Sequence, residues 1–258
     1  MQINRFLPIF NLLGYILVII TNYVAVTLPL AGRRTGEVSD MHPNLFAPAG
    51  FTFSIWGIIY LLLAAFIVFQ IKNTGKKVQP EYLNKIGWLF FISCLANASW
   101  LFAWHHLMLG LSFLIMLVIL GSLMAIYLKL NVGKVEISTK EKLLVHVPFS
   151  VYLGWITVAT IANATVLFVS LGWEGSPFNP QFWTVLMIIA AIAINLFAIY
   201  KRRDYAFGLV GAWALYGIYS KRVATDSSIL NGSVEIMAFT GIAVLLISIL
   251  MQIFIKRK

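Results

Sequence analysis

The sequence predicts an all-α integral membrane protein of about eight spans with both termini in the cytoplasm, and three observations carry that expectation. Of its 258 residues 60% are hydrophobic and only 11% charged, with a mean hydropathy of +0.89. A soluble domain carries about 25% charged residues, so no ordinary water-covered surface can be assembled from this chain. Apolar runs recur at the length of roughly 20 residues that crosses about 30 Å of hydrocarbon. The basic residues behind the net charge of +10 sit in short clusters between those runs rather than along one face. That is the pattern of membrane-flanking charge and not of a nucleic-acid surface.

Taken in order, the runs predict spans at 7–30, 49–71, 84–106, 109–130, 145–172, 181–200, 205–220 and 233–255. The first is long enough to span, and no small-residue cleavage site follows it, so it reads as a helix and not as a signal peptide. The stretch from Leu83 to Asn131 is too long for one crossing and must fold back, with His105–Gly110 as the natural hairpin. The seventh run is the weakest, because 16 residues make a helix of only about 24 Å. Eight spans place Arg5, Lys72, Lys76, Lys77, Lys85, Lys129, Lys134, Lys140, Lys142, Lys201, Arg202, Arg203, Lys256, Arg257 and Lys258 on one side. Only Arg33, Arg34, Lys221 and Arg222 fall on the other. Because Lys and Arg concentrate on the cytoplasmic side, this fifteen-to-four split puts the N-terminus inside, and seven spans would change it only to fourteen against five. The resulting localisation is the plasma membrane, multi-pass. The lone cysteine, Cys94, excludes an intramolecular disulfide.

Polar and aromatic side chains at membrane depth are costly and therefore informative. Trp56 and Tyr60 are four apart on the second span. Asn97, Trp100 and Trp104 share one face of the third, and Tyr152, Trp155, Ala159 and Asn163 form one stripe on the fifth. If the three helices are neighbours, these faces converge on an aromatic chamber with a few amide donors, suited to a flat hydrophobic ligand. The alternative is structural: intramembrane Asn commonly bonds a neighbouring helix, and Trp and Tyr populate interfacial belts. The outer loop 31–48 (AGRRTGEVSDMHPNLFAP) is either functional or disordered by its length and polarity. His42, His105 and His106 all fall on the outer side, but adjacent histidines at a helix end more often meet the headgroups, and no metal site is assigned. Paired carboxylates, a nucleophile elbow and a phosphate loop are missing, and no acid lies in mid-span. That disfavours a proton-coupled pump.

Three segments, in order, resemble the TspO/MBR family, the tryptophan-rich sensory proteins related to the mitochondrial translocator protein (peripheral benzodiazepine receptor). PAGFTFSIWGIIY (48–60) is similar to the family's proline-aromatic loop entering W-x-x-x-Y. NASWLFAWHHLMLGLS (97–112) is similar to its N-x-x-W-x-x-x-F run with a Gly-Leu turn. YLGWITVATIAN (152–163) is similar to its P-Y-x-x-W-x-x-x-A-x-x-x-N helix, with Tyr152, Trp155, Ala159 and Asn163 at the family spacing. Departures are Val151 where the family has proline before the tyrosine (Pro148 lies three residues earlier) and Ser54 two before the loop tryptophan.

The resemblance covers about residues 7–172 and implies a five-helix TspO-like bundle over 1–173, with a three-helix transmembrane extension over 174–258. It further implies a receptor or sensor whose outer pocket binds a porphyrin, another tetrapyrrole or a sterol-like ligand. On this reading Trp56, Tyr60, Asn97, Trp100, Trp104, Tyr152, Trp155, Ala159 and Asn163 line the pocket, and His42, Pro43, Phe46 and Pro48 belong to its lid. A porphyrin or haem is then a ligand and not an obligatory cofactor; the bilayer is a partner, and a homodimer is the family habit. Two alternatives stay open: a permease for a small hydrophobic or amphipathic solute, and an enzyme that modifies a bound porphyrin.

Overall fold

The computed structural model describes residues 6–28, 30–74, 80–225 and 232–255, and among them every regular element is helical. The flanking charges expected at Arg5, Lys76, Lys77, Lys256, Arg257 and Lys258 lie outside the described residues. In chain order the helices are α1 (Leu7–Thr27), α2 (Thr35–Asp40), α3 (Ile55–Asn73), α4 (Glu81–Ile86), α5 (Leu89–His105) and α6 (Leu109–Leu130). Then follow α7 (Thr139–Glu141), α8 (Val147–Ser170), α9 (Pro180–Arg202), α10 (Tyr205–Thr225) and α11 (Gly232–Ile255).

Local chemistry sets the boundaries. The α5–α6 turn uses Leu107 at a φ of 57°, inside the predicted hairpin. α6 stops at Asn131 in the left-handed conformation, which Asn tolerates better than most residues. α9 opens on Asn179, whose Oδ1 accepts from Phe182 N at 2.8 Å, with Pro180 at the first helical position. It closes on Arg203 in the left-handed region, and Asp204 at once caps α10 by accepting from Phe207 N at 3.1 Å. Before α8, Lys142–His146 forms a widened π-type turn. Pro148 lacks the N–H that an α-helix needs and crowds the carbonyl four residues back; the widened turn lies directly upstream of it.

Among the described residues six stretches are long and apolar enough to cross a membrane: Leu7–Thr27, Gly50–Asn73, Leu109–Leu130, Thr139–Ser170, Pro180–Arg202 and Gly232–Ile255. α5 is apolar but has 17 residues. α10 runs five residues beyond the 205–220 expected, so its 21 residues reach about 31 Å, yet it is not among the six. The outward surface confirms the medium. Leu61 is 73% exposed, Ile236 68% and Ile20 54%, with large apolar neighbours along each helix. Such continuous apolar exposure is untenable in water and normal in lipid. The protein is an all-α membrane protein.

The chain forms two compact units, Met1–Thr35 with Ile55–Leu153, and Gly36–Ser54 with Gly154–Lys258. In the first, α1 buries one stripe, Leu7, Asn11, Gly14, Val18, Thr21 and Ala25, spaced 4-3-4-3-4. Gly14 lets α1 approach α5 closely, since a Cβ there would stand 2.9 Å from the Phe91 ring and 3.0 Å from Cys94 Cβ. Gly14→Leu is expected to cost about 2–3 kcal/mol by overpacking, read as an earlier midpoint in detergent-driven unfolding; an unchanged midpoint refutes this contact. Between α1 and α3, Asn11 Nδ2 donates to Gln70 Oε1 at 2.8 Å and Gln70 Nε2 to the Pro8 carbonyl at 3.2 Å, both side chains fully buried. Phe66, Phe90 and Phe149 pack edge to face, with centroids 5.1–5.7 Å apart.

In the second unit, α9, α10 and α11 pack against one another on small residues. Gly208 lies against Ile199 and Ile249, Gly211 against the Asn195 amide, and Gly241 against Ile192 and Leu215. The segment 36–54 is fastened to α10. Ala49 N donates to the Gly217 carbonyl at 2.9 Å, Trp213 Nε1 to the Thr52 carbonyl at 3.0 Å, and Lys221 pairs with Asp40. Phe51 adds ring contacts to Trp213 and Tyr216.

Candidate functional site: an aromatic and amide cluster

Within the first unit, the helix faces singled out by spacing come together. Trp56 stacks on Tyr60 with centroids 5.6 Å apart and planes at 22°. It also meets Trp100 at 6.2 Å and the edge of Tyr152 at 6.0 Å. Trp100 in turn stacks on Trp104 at 5.7 Å. The four-residue spacing of Trp56 and Tyr60 on α3, and of Trp100 and Trp104 on α5, is what allows each pair to overlap. The result is a row of rings, Tyr60, Trp56, Trp100 and Trp104, with Tyr152 at its side.

An amide chain runs beside the rings. Asn22 Nδ2 donates to Asn97 Oδ1 at 3.3 Å, and Asn97 Nδ2 donates to the Tyr152 hydroxyl at 3.0 Å. α1, α5 and α8 are thus joined through one asparagine that is 1% exposed. Asn97 therefore has a structural role in this arrangement, as intramembrane asparagines commonly do. At the end of the row, Trp104 Nε1 donates to the Thr35 carbonyl at 3.0 Å. Trp100 differs: its ring is 5% exposed and its Nε1–H has no hydrogen-bond partner among the described residues. A buried donor left unmade costs about 1–3 kcal/mol, so it marks a place where a ligand acceptor or a water gains energy.

The other predicted residues belong to the second unit. Trp155 is buried, with Phe53 edge-on at 6.0 Å; Ala159 is half-buried and Asn163 buried. They continue the Tyr152 stripe along α8. Of the predicted lid, Phe46 and Pro48 are buried, His42 is half-buried and Pro43 exposed. Asn44 shapes this stretch. Its Oδ1 accepts from Phe46 N and Ala47 N, and its Nδ2 donates to the His42 carbonyl.

The two histidines at the end of α5 are engaged locally. His105 Nδ1 lies 2.7 Å from the Leu101 carbonyl and must carry the proton, so Nε2 accepts from the Thr35 hydroxyl at 3.4 Å. His106 Nδ1 bonds the Phe102 carbonyl. No group of three or more His, Cys, Asp or Glu suited to a metal occurs among the described residues.

Spacing alone missed Asn11, Asn22 and Gln70. The available signal was an amide pair eleven residues apart on one face of the first span, and a glutamine near the C-terminal end of the second.

Helices of this length and outward apolarity, gathered around stacked tryptophans and buried amides, define a tryptophan-rich α-helical membrane protein. The model of the TSPO-like protein family matches residues 8–251, and the chain belongs to that family. The match extends from α1 into α11 and so takes in the C-terminal helices as well as the three motif segments. Neither the comparison with curated proteins nor that with solved structures returned a match.

Proposed function

We propose that this protein is a membrane receptor or sensor for a flat hydrophobic ligand, a tetrapyrrole or a sterol-like molecule, held at the aromatic and amide cluster. One observation supports it above the others: a row of stacked rings with the buried Trp100 N–H left without a partner. Ring faces favour a planar π-surface or a fused ring system, and a buried donor fixes its orientation through an acceptor, as ligand sites commonly do. A porphyrin is on this reading a ligand and not a resident cofactor. Eight spans, cytoplasmic termini, a plasma-membrane location and a homodimer complete the proposal, with ligand contacts confined to residues before 173 and the C-terminal helices as an extension.

The test is a titration of the purified protein with protoporphyrin. Saturable quenching of tryptophan fluorescence is expected, with Tyr60→Leu, which removes one ring of the row, raising the midpoint several-fold, about 1 kcal/mol of binding energy. Quenching that rises linearly without saturation overturns the tetrapyrrole reading.

A further inference from the structure

The second unit encloses a cavity of about 1000 Å³, at the upper end of what small-molecule sites occupy. Of its lining, Pro43 belongs to the lid expected from the sequence, and Lys221 and Arg222 to the four basic residues set apart from the rest. Its walls come from 40–45, the outer end of α8, the α8–α9 connection, the start of α9 and the end of α10.

On the α8 and α9 side, the Thr165 hydroxyl donates to the Ile161 carbonyl and the Thr184 hydroxyl to the Pro180 carbonyl. Trp183 Nε1 donates to the Gly175 carbonyl at 2.7 Å and Trp173 Nε1 to the Ser176 carbonyl at 3.3 Å. These two indoles meet at 5.4 Å, and with their N–H groups used they turn carbon toward the space, beside Met187 and Val169. Asn44, on the loop wall, has its amide taken up by its own turn.

The charged groups lining the cavity are Asp40, Glu174, Lys221 and Arg222. Asp40 and Glu174 are exposed, and Asp40 pairs with Lys221. Arg222 is the one buried among them, 7% exposed. A guanidinium matches a carboxylate or phosphate in two parallel hydrogen bonds and tolerates burial better than an ammonium.

We propose that this cavity is a second site, distinct from the ring cluster, for an anionic amphiphile: an acid group at Arg222 and Lys221 and an apolar body along Trp173, Trp183 and Met187. Such a molecule arrives either as a free fatty acid or as an anionic lipid from the bilayer. Full-length protein in a neutral detergent is titrated with 9,10-dibromostearate, with the uncharged dibromostearyl alcohol, and with brominated phosphatidylglycerol and phosphatidylcholine, following tryptophan quenching by bromine.

Saturable quenching by the acid is expected, with the alcohol weaker by roughly tenfold or more, the worth of a hydrogen bond to a charged group. The double variant Trp173→Phe, Trp183→Phe removes the saturable amplitude. Arg222→Gln weakens binding by roughly tenfold. Asp40→Asn, on an exposed side chain, with the Ala49–Gly217 and Trp213–Thr52 hydrogen bonds still holding 36–54 to α10, releases Lys221 and tightens binding by about threefold, an effect that shrinks in high salt. Quenching by phosphatidylglycerol but not phosphatidylcholine assigns the source to the bilayer; quenching by the acid alone assigns it to the free form. Equal affinity for acid and alcohol, unaltered quenching in the double tryptophan variant, or an Asp40→Asn protein that binds no more tightly overturns the proposal.

Discussion

Gly217→Val is expected to lower stability by about 3 kcal/mol or more, beyond the usual cost of overpacking because no partner can retreat. A Cβ at position 217 would fall 2.1 Å from Thr52 Oγ1 and within 2.9 Å of that side chain's Cγ2 and Cβ. The neighbour is a short side chain held by its own backbone, and Thr52 is fully buried. Two hydrogen bonds depend on the same approach, Ala49 N to the Gly217 carbonyl and Trp213 Nε1 to the Thr52 carbonyl, each with a net worth of about 1 kcal/mol. The variant should therefore release 36–54 from α10, seen as new protease cleavage between Asp40 and Ser54 and an earlier unfolding midpoint. Gly121→Ala on α6 is the control. Nothing lies within 4 Å of its added Cβ, and alanine favours a helix by about 1 kcal/mol over glycine. Equal losses from both substitutions would refute the close approach.

Trp56→Ala is the second large effect. One half-buried ring meets Tyr60, Trp100 and Tyr152, and removing it is expected to cost about 2–3 kcal/mol, somewhat less than a fully buried aromatic. The same variant should abolish saturable quenching by protoporphyrin. Trp100→Phe separates binding from stability: the stacked ring stays and the N–H disappears. Its unfolding midpoint is expected to stay within about 1 kcal/mol of wild type while the porphyrin midpoint rises about tenfold, the worth of one buried hydrogen bond. A Trp100→Phe protein that binds as tightly as wild type removes the argument from the unpartnered donor.

The helices were largely legible because hydrophobic run length is a one-dimensional property. The predicted 109–130 is the observed α6. The second run begins later as an α-helix because Gly50–Ser54 is a 3₁₀ turn. The third begins at Leu89 because Gly87, at a φ of 51°, breaks the chain direction after α4. Of the cluster, the facing of Trp56 with Tyr60 and of Asn97 with Trp100 and Trp104 could be read from helical spacing. Their mutual contact could not, since it depends on which helices become neighbours. The fastening of Thr52 to Trp213 joins positions 161 apart, and no local pattern announces it. A single division at 173/174 follows chain order, whereas the grouping of 36–54 with α9, α10 and α11 is a product of packing. The cavity beside Arg222 was hidden for the same reason, its walls being drawn from stretches far apart in the chain.

The composition of α10 bears on how the protein is made. Its glycines, tyrosines and terminal Lys221 and Arg222 leave it less apolar than α9 before it and α11 after it. A nascent segment of that kind gains little from leaving the translocation channel sideways into lipid on its own. Once α9 and α11 flank it, Gly208 and Gly211 are covered by side chains and those positions no longer face lipid. Because α10 emerges from the ribosome before α11 has been synthesised, its residence in the bilayer waits for a helix still to come. The last three helices are accordingly expected to insert as a unit as well as to pack as one, so that truncation before Gly232 should cost α10 its protection from protease in membranes together with α11.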